Sequence, residues 1–227
     1  MVGLDLKPRL ALFDLDHTLL SGDTDVLWCD YLIALGLLDR ASFSAQNADM
    51  ELRYKAGTVG VEEFANFYVG TLRGETEASW EPVRQAFLHK CIIPKIPKSA
   101  LDLLQQHRSK GDLMVLTTAT NRYITALTAA YLGLTHLIAT ETELVDGTFT
   151  GRASGTLNMR EGKVLRLTAW LASRGKKLED FETTAYSDSI NDLPLLQMAD
   201  HAVAVDPDAH LHAHAQANGW KILLLAR

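Results

Sequence analysis

Two aspartates, Asp14 and Asp16, close the first apolar segment of the chain, in the sequence Phe-Asp-Leu-Asp-His-Thr. Side chains repeat every second residue along a strand, so a strand that ends here places both carboxylates on one side of the backbone. Two acids that close need a shared metal ion, a shared proton or a reaction that uses both. Thr18 then supplies a hydroxyl where the chain turns away. Taken alone, the pattern is also typical of a loop entry or a helix cap.

A second polar group, Thr-Thr-Ala-Thr at residues 117–120, lies between an apolar run and a helix predicted to start near Asn121. Hydroxyls beside free backbone N–H groups at a helix start form a good cradle for a phosphate. The alternative is a threonine that caps the helix.

Two further groups lie in the second half of the chain. Lys163 is near a predicted helix start, where the helix dipole disfavours a cation unless a phosphate lies beside it. The alternative is a solvated surface lysine. Asp188 directly follows a predicted strand, so we expect it at the same sheet edge as Asp14. A helix cap around Asn191 or Asp192 is the alternative there.

An alternation of strands and helices is predicted to position these groups. Apolar runs predict strands at residues 9–14, 112–117, 137–140, 183–186, 202–205 and 221–224, with helices between most of them. This order indicates an α/β fold with a Rossmann-like, doubly wound parallel sheet, whose ligands lie outside the carboxyl ends of the strands. The turn residues Asp146 and Gly147 predict a short hairpin around residues 145–151.

Residues 21–97 do not fit this alternation. Their apolar residues recur at helical spacing, with glycines between the periodic segments. We therefore predict an α-helical cap at residues 21–97, inserted after the first strand. The α/β core then consists of residues 1–20 and 98–227.

Composition limits the possible partners. The 227 residues carry a net charge of −6 without a block of Lys and Arg, so we expect no nucleic-acid surface. The longest apolar stretch, residues 26–38, contains Asp30 and is too short to span a membrane. The start lacks the layout of a signal peptide, and the two cysteines, Cys29 and Cys91, are far apart. These features predict a cytoplasmic protein and leave its oligomeric state open.

Together, and in this order, the four groups resemble the motifs of the haloacid dehalogenase (HAD) phosphohydrolase superfamily. More narrowly they resemble its phosphoserine-phosphatase-like branch, which carries a helical cap between the first and second motifs. The resemblance covers nearly the whole chain. It implies a magnesium-dependent phosphomonoesterase that acts on a small phosphorylated metabolite through an aspartyl-phosphate. A phosphosugar mutase and a protein that only binds a phosphorylated ligand are the alternatives.

The resemblance also assigns roles to individual residues. Asp14 resembles the nucleophile, which at an ordinary pKa of about 4 is already ionised. Asp16 resembles the acid–base residue, which protonates the leaving group and then takes a proton from water. Thr118, the amide of Ala119 and Lys163 resemble the groups that hold the phosphate.

The same resemblance implies a Mg²⁺ ion held by Asp14, the backbone carbonyl of Asp16 and Asp188. A few oxygen ligands completed by water are typical of magnesium. Supporting roles fall on Thr18, Asn191 and Asp192, the last by orienting Lys163 or a metal-bound water.

The substrate prediction depends on the cap. Phosphoserine phosphatases use a cap Glu for the substrate ammonium and a cap Arg for its carboxylate. By spacing, these positions fall on Asp23, which keeps the charge, and near Tyr68, which cannot pair with a carboxylate; Arg53 is a possible substitute. The predicted substrate is therefore a phosphorylated amino alcohol such as histidinol phosphate, with phosphoserine as the alternative. Further candidates for substrate contact in the cap are Trp28 and Glu51.

Overall fold

A computed structural model describes residues 7–225 of the chain, which contain one seven-stranded sheet. Its strands are β1 (Arg9–Phe13), β2 (Leu113–Asn121), β3 (His136–Val145), β4 (Thr148–Ser154), β5 (Glu182–Ser187), β6 (His201–Val205) and β7 (Lys221–Leu223). In space they follow the order β4-β3-β2-β1-β5-β6-β7. Because the chain builds outward from β1 first on one side and then on the other, the sheet is doubly wound, as predicted.

Neighbouring strands are parallel except for β3 and β4. This antiparallel pair is the predicted hairpin, and its turn residues Asp146 and Gly147 have φ angles of 49° and 76°. Positive φ at both central positions is what a type I′ turn requires. The α/β prediction is confirmed, with one correction: the sheet is mixed, because the hairpin extends β3 to Val145 and adds β4 at the edge.

The chain between β1 and β2 is helical. Its α-helices are α1 (Thr24–Ala34), α2 (Arg40–Lys55), α3 (Val61–Val69) and α4 (Glu77–Phe87). A π-helical turn and a 3₁₀ turn follow at Leu88–Ile92 and Ile93–Lys95. The side chains of Asp23 and Asp39 accept hydrogen bonds at the starts of α1 and α2, and Thr76 does so at the start of α4. Each satisfies a backbone N–H that has no partner within its helix.

These four helices pack in two different ways. Trp28 of α1 and Trp80 of α4 belong to the apolar cluster that contains Phe13 of β1. By contrast, Met50 of α2 and Phe64 of α3 belong to a separate small cluster, which also includes Cys29 of α1 and Met159. The division of the chain into a core and a cap at residues 21 and 97 stays a prediction.

The remaining helices cover the two faces of the sheet. They are α5 (Lys98–Ser109), α6 (Arg122–Tyr131), α7 (Glu161–Ala172), α8 (Leu193–Gln197) and α9 (Ala209–Ala217). Ala11 and Phe13 of β1 pack with α5 and α6, whereas Leu10 and Leu12 pack with α7, α8 and α9. Burial on both faces explains the continuous apolar run of this strand. No helix in the described part of the chain is long and apolar enough to cross a bilayer.

Candidate active site

A buried ion-pair cluster lies at the carboxyl ends of β1 and β5. The ammonium group of Lys163, on the first turn of α7, donates to Asp14 Oδ1 at 2.7 Å and to Asp192 Oδ2 at 2.6 Å. All three side chains are buried. Burial alone would lower the pKa of Lys163, but the two carboxylates outweigh this effect and raise it. Lys163 is therefore a buried cation and not a solvated surface residue.

Asp14 and Asp188 lie side by side, as the sequence predicts from their strand ends. The Thr18 hydroxyl lies 3.1 Å from Asp14 Oδ2 and 3.0 Å from Asp188 Oδ1, and it accepts a hydrogen bond from the Asp188 N–H at 3.1 Å. The turn after β1 thus places Thr18 between the two carboxyl groups. The supporting role of Thr18 stays a prediction.

The electrostatics of Asp14 differ from the expectation. Burial raises its pKa to about 7, the charges of Asp192 and Asp16 add to this effect, and Lys163 offsets part of it. Burial, followed by the charges of Asp14 and Asp192, also raises the pKa of Asp188. The prediction that Asp14 keeps an ordinary pKa of about 4 is wrong, because the sequence does not show how deeply the carboxyl group is buried.

This surplus of buried negative charge suits a divalent cation. Asp14 and Asp188 approach the same hydroxyl, and the Lys163 ammonium pairs with Asp14 and Asp192. Among the ion pairs of residues 7–225, none includes Asp188. Within residues 7–225 no three His, Cys, Asp or Glu side chains group as metal ligands. Two carboxylates would therefore need main-chain or water oxygens to complete a coordination shell, which fits the ligand preference of Mg²⁺. The main-chain carbonyl of Asp16 is the predicted third protein ligand.

Asp16 is fixed by three threonines. Its Oδ1 accepts from the backbone N–H of Thr24 at 2.7 Å and from the Thr24 hydroxyl. Its Oδ2 lies 3.3 Å from the Thr118 hydroxyl and 3.1 Å from the Thr120 hydroxyl. Sequence reasoning missed Thr24. It included Thr120 in the predicted phosphate cradle at residues 117–120, but without a contact to Asp16.

The predicted phosphate cradle forms the end of β2. This strand continues to Asn121 with an irregular register after Thr118, and Ala119 lies beside the carboxylates. Asn121, and not a threonine, caps α6 by accepting from Ile124 N–H at 3.1 Å. The buried amide of Asn158, which sequence reasoning missed, donates to the Thr118 carbonyl at 2.9 Å and thereby fixes the strand end.

A small cavity opens over these groups. One wall is aromatic, because the rings of Tyr54 and Phe64 stack with their centroids 4.6 Å apart. Asp23 lies on the cavity surface, where burial, and next the charge of Asp16, raise its pKa to about 7. The lining residues are Asp14, Asp16, His17, Asp23, Tyr54, Phe64, Ala119, Thr120, Asp188 and Ser189.

The other three candidates for substrate contact do not line this cavity. Trp28 is fully buried against Trp80 and Phe87, since the apolar face of α1 packs into the core. Arg53 forms a two-pronged salt bridge with Glu63, at 2.7 and 2.8 Å. Glu51, the remaining candidate, forms an ion pair with Lys55 on the same helix, α2.

Asn191 connects two parts of the chain. Its side-chain amide donates to the Tyr54 carbonyl at 3.0 Å and accepts from Arg160 Nε at 3.2 Å. Arg160 also donates to the carbonyls of Gly57 and Val59, at 2.9 and 3.3 Å. The two side chains therefore hold the loop after α2 against the sheet end. Sequence reasoning gave no role to Arg160, although it lies three residues before Lys163 in the same motif.

Comparisons with known proteins agree with this arrangement. The family model for haloacid dehalogenase-like hydrolases matches residues 11–197. A histidinol-phosphatase of Neisseria meningitidis serogroup C (strain 8013) is 38% identical over 217 residues, which cover 95% of this chain and 98% of that protein. A crystal structure of a protein with unknown function from Bordetella pertussis Tohama I is 42% identical, with a TM-score of 0.90 over 96% of this chain and 98% of that one.

A structure of phosphoserine phosphatase, a phospho-aspartyl intermediate analogue, shares the fold with a TM-score of 0.70 at 19% identity, over 97% of this chain and 95% of that one. The match to the family model extends from β1 to the end of α8 and includes all four motif groups. The chain therefore belongs to the haloacid dehalogenase-like hydrolases, in the phosphatase branch that resembles phosphoserine phosphatase.

Proposed function

We propose that this phosphatase is magnesium-dependent and hydrolyses a small phosphomonoester through a covalent phosphoryl group on Asp14. The observation that carries the proposal is the contact of Asp14 with Lys163 at 2.7 Å, with Asp188 beside it across the Thr18 hydroxyl. A buried carboxylate held between a fixed cation and a second acid is oriented for attack on an anionic phosphate.

Asp14 attacks phosphorus, and the bond from phosphorus to the ester oxygen breaks. Lys163 offsets the negative charge that the carboxylate and the phosphate oxygens bring together. When bound, a magnesium ion would supply further positive charge at the same place and lower the repulsion between the two anions. The hydroxyl of Thr118 and the amide of Ala119 hold the phosphate oxygens.

Asp16 transfers a proton in each of the two steps, first as an acid and then as a base. It gives a proton to the departing ester oxygen. It then takes a proton from the water that attacks the phosphoryl group, the bond from phosphorus to Asp14 breaks, and inorganic phosphate is released. Its fixed position between Thr24 and the end of β2 supports this role, because proton transfer requires hydrogen-bond geometry.

The proposed substrate is a phosphorylated amino alcohol, with histidinol phosphate as the leading candidate. Asp23 on the cavity surface offers a partner for a cationic group, and the Tyr54–Phe64 pair offers a flat wall for an imidazole ring. Among the described residues, no arginine or lysine lines the cavity to receive a carboxylate. The name of the Neisseria relative, histidinol-phosphatase, supports the same choice. The cytoplasm remains the proposed location, and both cysteines are free thiols.

A substrate comparison tests this proposal. With Mg²⁺, we expect histidinol phosphate to be hydrolysed with a kcat/KM at least about 10-fold above that of phosphoserine, which would bring an unpaired carboxylate into the cavity. Asp23→Asn should lower kcat/KM for histidinol phosphate by about 10- to 100-fold, since a charged hydrogen bond is lost.

The measurement is release of inorganic phosphate from histidinol phosphate, phosphoserine and phosphoethanolamine. Asp30→Asn, an exposed residue on the same helix, is the matched control and should leave the ranking unchanged. A clear preference for phosphoserine would contradict the substrate proposal. Transfer of the phosphoryl group to a sugar phosphate without release of phosphate would favour a mutase.

We expect Mg²⁺ binding to change the thermal stability of the protein in a pH-dependent way. Between about pH 4 and pH 7 the folded, metal-free protein keeps a proton on Asp14 that the unfolded chain has lost. Its stability should therefore fall as the pH rises through this interval. Mg²⁺ binds the ionised carboxylates, so at pH 8 and 100 times Kd it should raise Tm by about 5 to 10 °C. At pH 5 the rise should be smaller.

Asp188→Asn should remove most of this Mg²⁺-dependent rise in Tm. Asp200→Asn is the matched control, because Asp200 accepts from Thr183 at the opposite end of β5. Thermal unfolding with Mg²⁺ and with EDTA gives both values. An equal Mg²⁺ effect in the Asp188→Asn variant and in the wild type would remove Asp188 from the metal site.

A further inference from the structure

Asp25, in the first turn of α1, is a buried acid that the mechanism above does not use. Its side chain is 2% exposed, and its Oδ2 lies 2.8 Å from the hydroxyl of Thr120. Its Oδ1 has no hydrogen-bond partner within residues 7–225. The first turn of a helix often carries an exposed acid that favours the helix dipole, but this one points into the protein.

The Thr120 hydroxyl lies between two acids. It is 2.8 Å from Asp25 Oδ2 and 3.1 Å from Asp16 Oδ2. A threonine hydroxyl has one proton to donate, so it cannot donate to both carboxyl groups at once. The Thr120 hydroxyl therefore couples the two carboxyl groups, because a change at one of them alters the hydrogen bond that reaches the other.

The surroundings of the two acids differ. Asp16 has further partners in the N–H and the hydroxyl of Thr24, whereas Asp25 meets the Thr120 hydroxyl through one oxygen only. Asp25 has one unpartnered oxygen, which is far more costly for a buried charge than for a neutral acid. Burial, and next the charges of Asp23 and Asp16, raise the pKa of Asp25 well above its ordinary value.

We propose that Asp25 is a positioning residue for Asp16: its contact with the Thr120 hydroxyl holds that hydroxyl against Asp16 Oδ2 and so fixes the orientation of the Asp16 carboxyl group. The chain of contacts links α1, the end of β2 and the turn after β1, and it fixes the acid–base carboxyl from the side away from Thr24. This inference rests on the proposed role of Asp16 as general acid.

The test compares two substrates that differ in their leaving group. The comparison separates a loss of proton donation by Asp16 from a general loss of activity. p-Nitrophenol leaves phosphorus readily without a proton, whereas phenol is a weaker acid and needs one. The value of kcat/KM reports the step in which the leaving group departs. The ratio of kcat/KM for phenyl phosphate to that for p-nitrophenyl phosphate therefore measures how well Asp16 is positioned. It does not depend on the natural substrate.

Three variants address the contact. Asp25→Leu has a similar size and no donor, Asp25→Asn keeps a neutral donor at the same place, and Thr120→Val removes the intervening hydroxyl. We expect Asp25→Leu and Thr120→Val each to lower kcat/KM for phenyl phosphate by about 10- to 100-fold. For p-nitrophenyl phosphate the loss should be a few-fold. Asp25→Asn should recover most of the ratio.

A double-variant comparison identifies the residue through which Asp25 acts. In an Asp16→Asn background, the ratio has already fallen, and adding Asp25→Leu should not change it further. Thr125→Val is the matched control, because that buried hydroxyl donates only to the Asn121 carbonyl within α6. It should leave the ratio as in the wild type.

Three results would overturn the inference. They are an equal loss for both aryl phosphates in Thr120→Val, an Asp25→Asn variant as impaired as Asp25→Leu, or a further fall of the ratio when Asp25→Leu is added to Asp16→Asn. If Asp25→Leu does not fold, Thr120→Val and Asp25→Asn still decide the question. An unchanged ratio in Asp16→Asn alone would contradict the proposed acid role of Asp16, and the inference would fail with it.

Discussion

Asp14→Asn should lose turnover by about 10⁴-fold or more while the protein remains folded. The amide has nearly the same shape as the carboxyl group, but it cannot form the bond to phosphorus. It also removes a charge from a cluster in which burial already opposes the ionised form of Asp14. Lys163 keeps Asp192 as its partner at 2.6 Å, so the fold around α7 retains one ion pair. Phosphate release with Mg²⁺ measures the loss.

Asp112→Asn is the matched control for this variant. Asp112 is also a buried acid with a cationic partner, since it pairs with Arg9 at 2.5 Å, but it lies at the opposite ends of β1 and β2. It should lower stability and keep the wild-type turnover per folded molecule. Acid quenching of the wild type during turnover should trap a chain heavier by one phosphoryl group, and Asp14→Asn should trap none. Substantial turnover in Asp14→Asn would refute the role of Asp14 as nucleophile.

The meeting of Asp14 and Asp188 at one edge of the sheet could be predicted from the sequence, because it depends on a simple geometric rule. Strands of a parallel sheet end at one edge, so Asp14 and Asp188 had to lie near each other wherever the helices packed. The structure brings them to the same Thr18 hydroxyl. The prediction needed only the positions of two strand ends, which apolar runs identify well.

Burial depth could not be predicted in the same way. Lys163 near a helix start is ordinarily a surface residue, and its 1% exposure comes with contacts to Asp14 and Asp192, which lie far away in sequence. The same limit applies to Asp25, whose inward orientation follows from the burial of α1. Charge and burial together set the pKa of such groups, and sequence patterns report only the charge.

The contacts around the cavity were the least predictable. Spacing from Asp14 singled out Asp23, which lies on the cavity surface; its contact with a substrate stays a prediction. Arg53 and Glu51 lie far from the motifs in sequence, and each is paired with a neighbour on α2 or α3. The bridge from Arg160 to the loop after α2 depends on a contact between segments about a hundred residues apart. No local pattern indicates such a contact.

Lys163→Met should lower the free energy of unfolding by about 3 to 5 kcal/mol at pH 8 in EDTA. The variant keeps the length of the side chain but leaves the carboxyl groups of Asp14 and Asp192 buried without their shared cation. Lys163 holds the pKa of Asp14 down, so its removal raises that pKa further above the unfolded value. The folded variant then binds a proton that the unfolded chain lacks, and the loss of stability should grow from pH 5 to pH 8.

Lys98→Met offers a closely matched control, because Lys98 also contacts an aspartate at 2.6 Å, but its side chain is 85% exposed. An exposed ion pair is screened by water, so this variant should unfold almost as the wild type does at both pH values. Urea unfolding of the three proteins at pH 5 and pH 8 gives the comparison. If Lys163→Met were as stable as the wild type at pH 8, the ammonium would not neutralise the buried acids. The phosphate and Asp14 would then need another source of positive charge to approach each other.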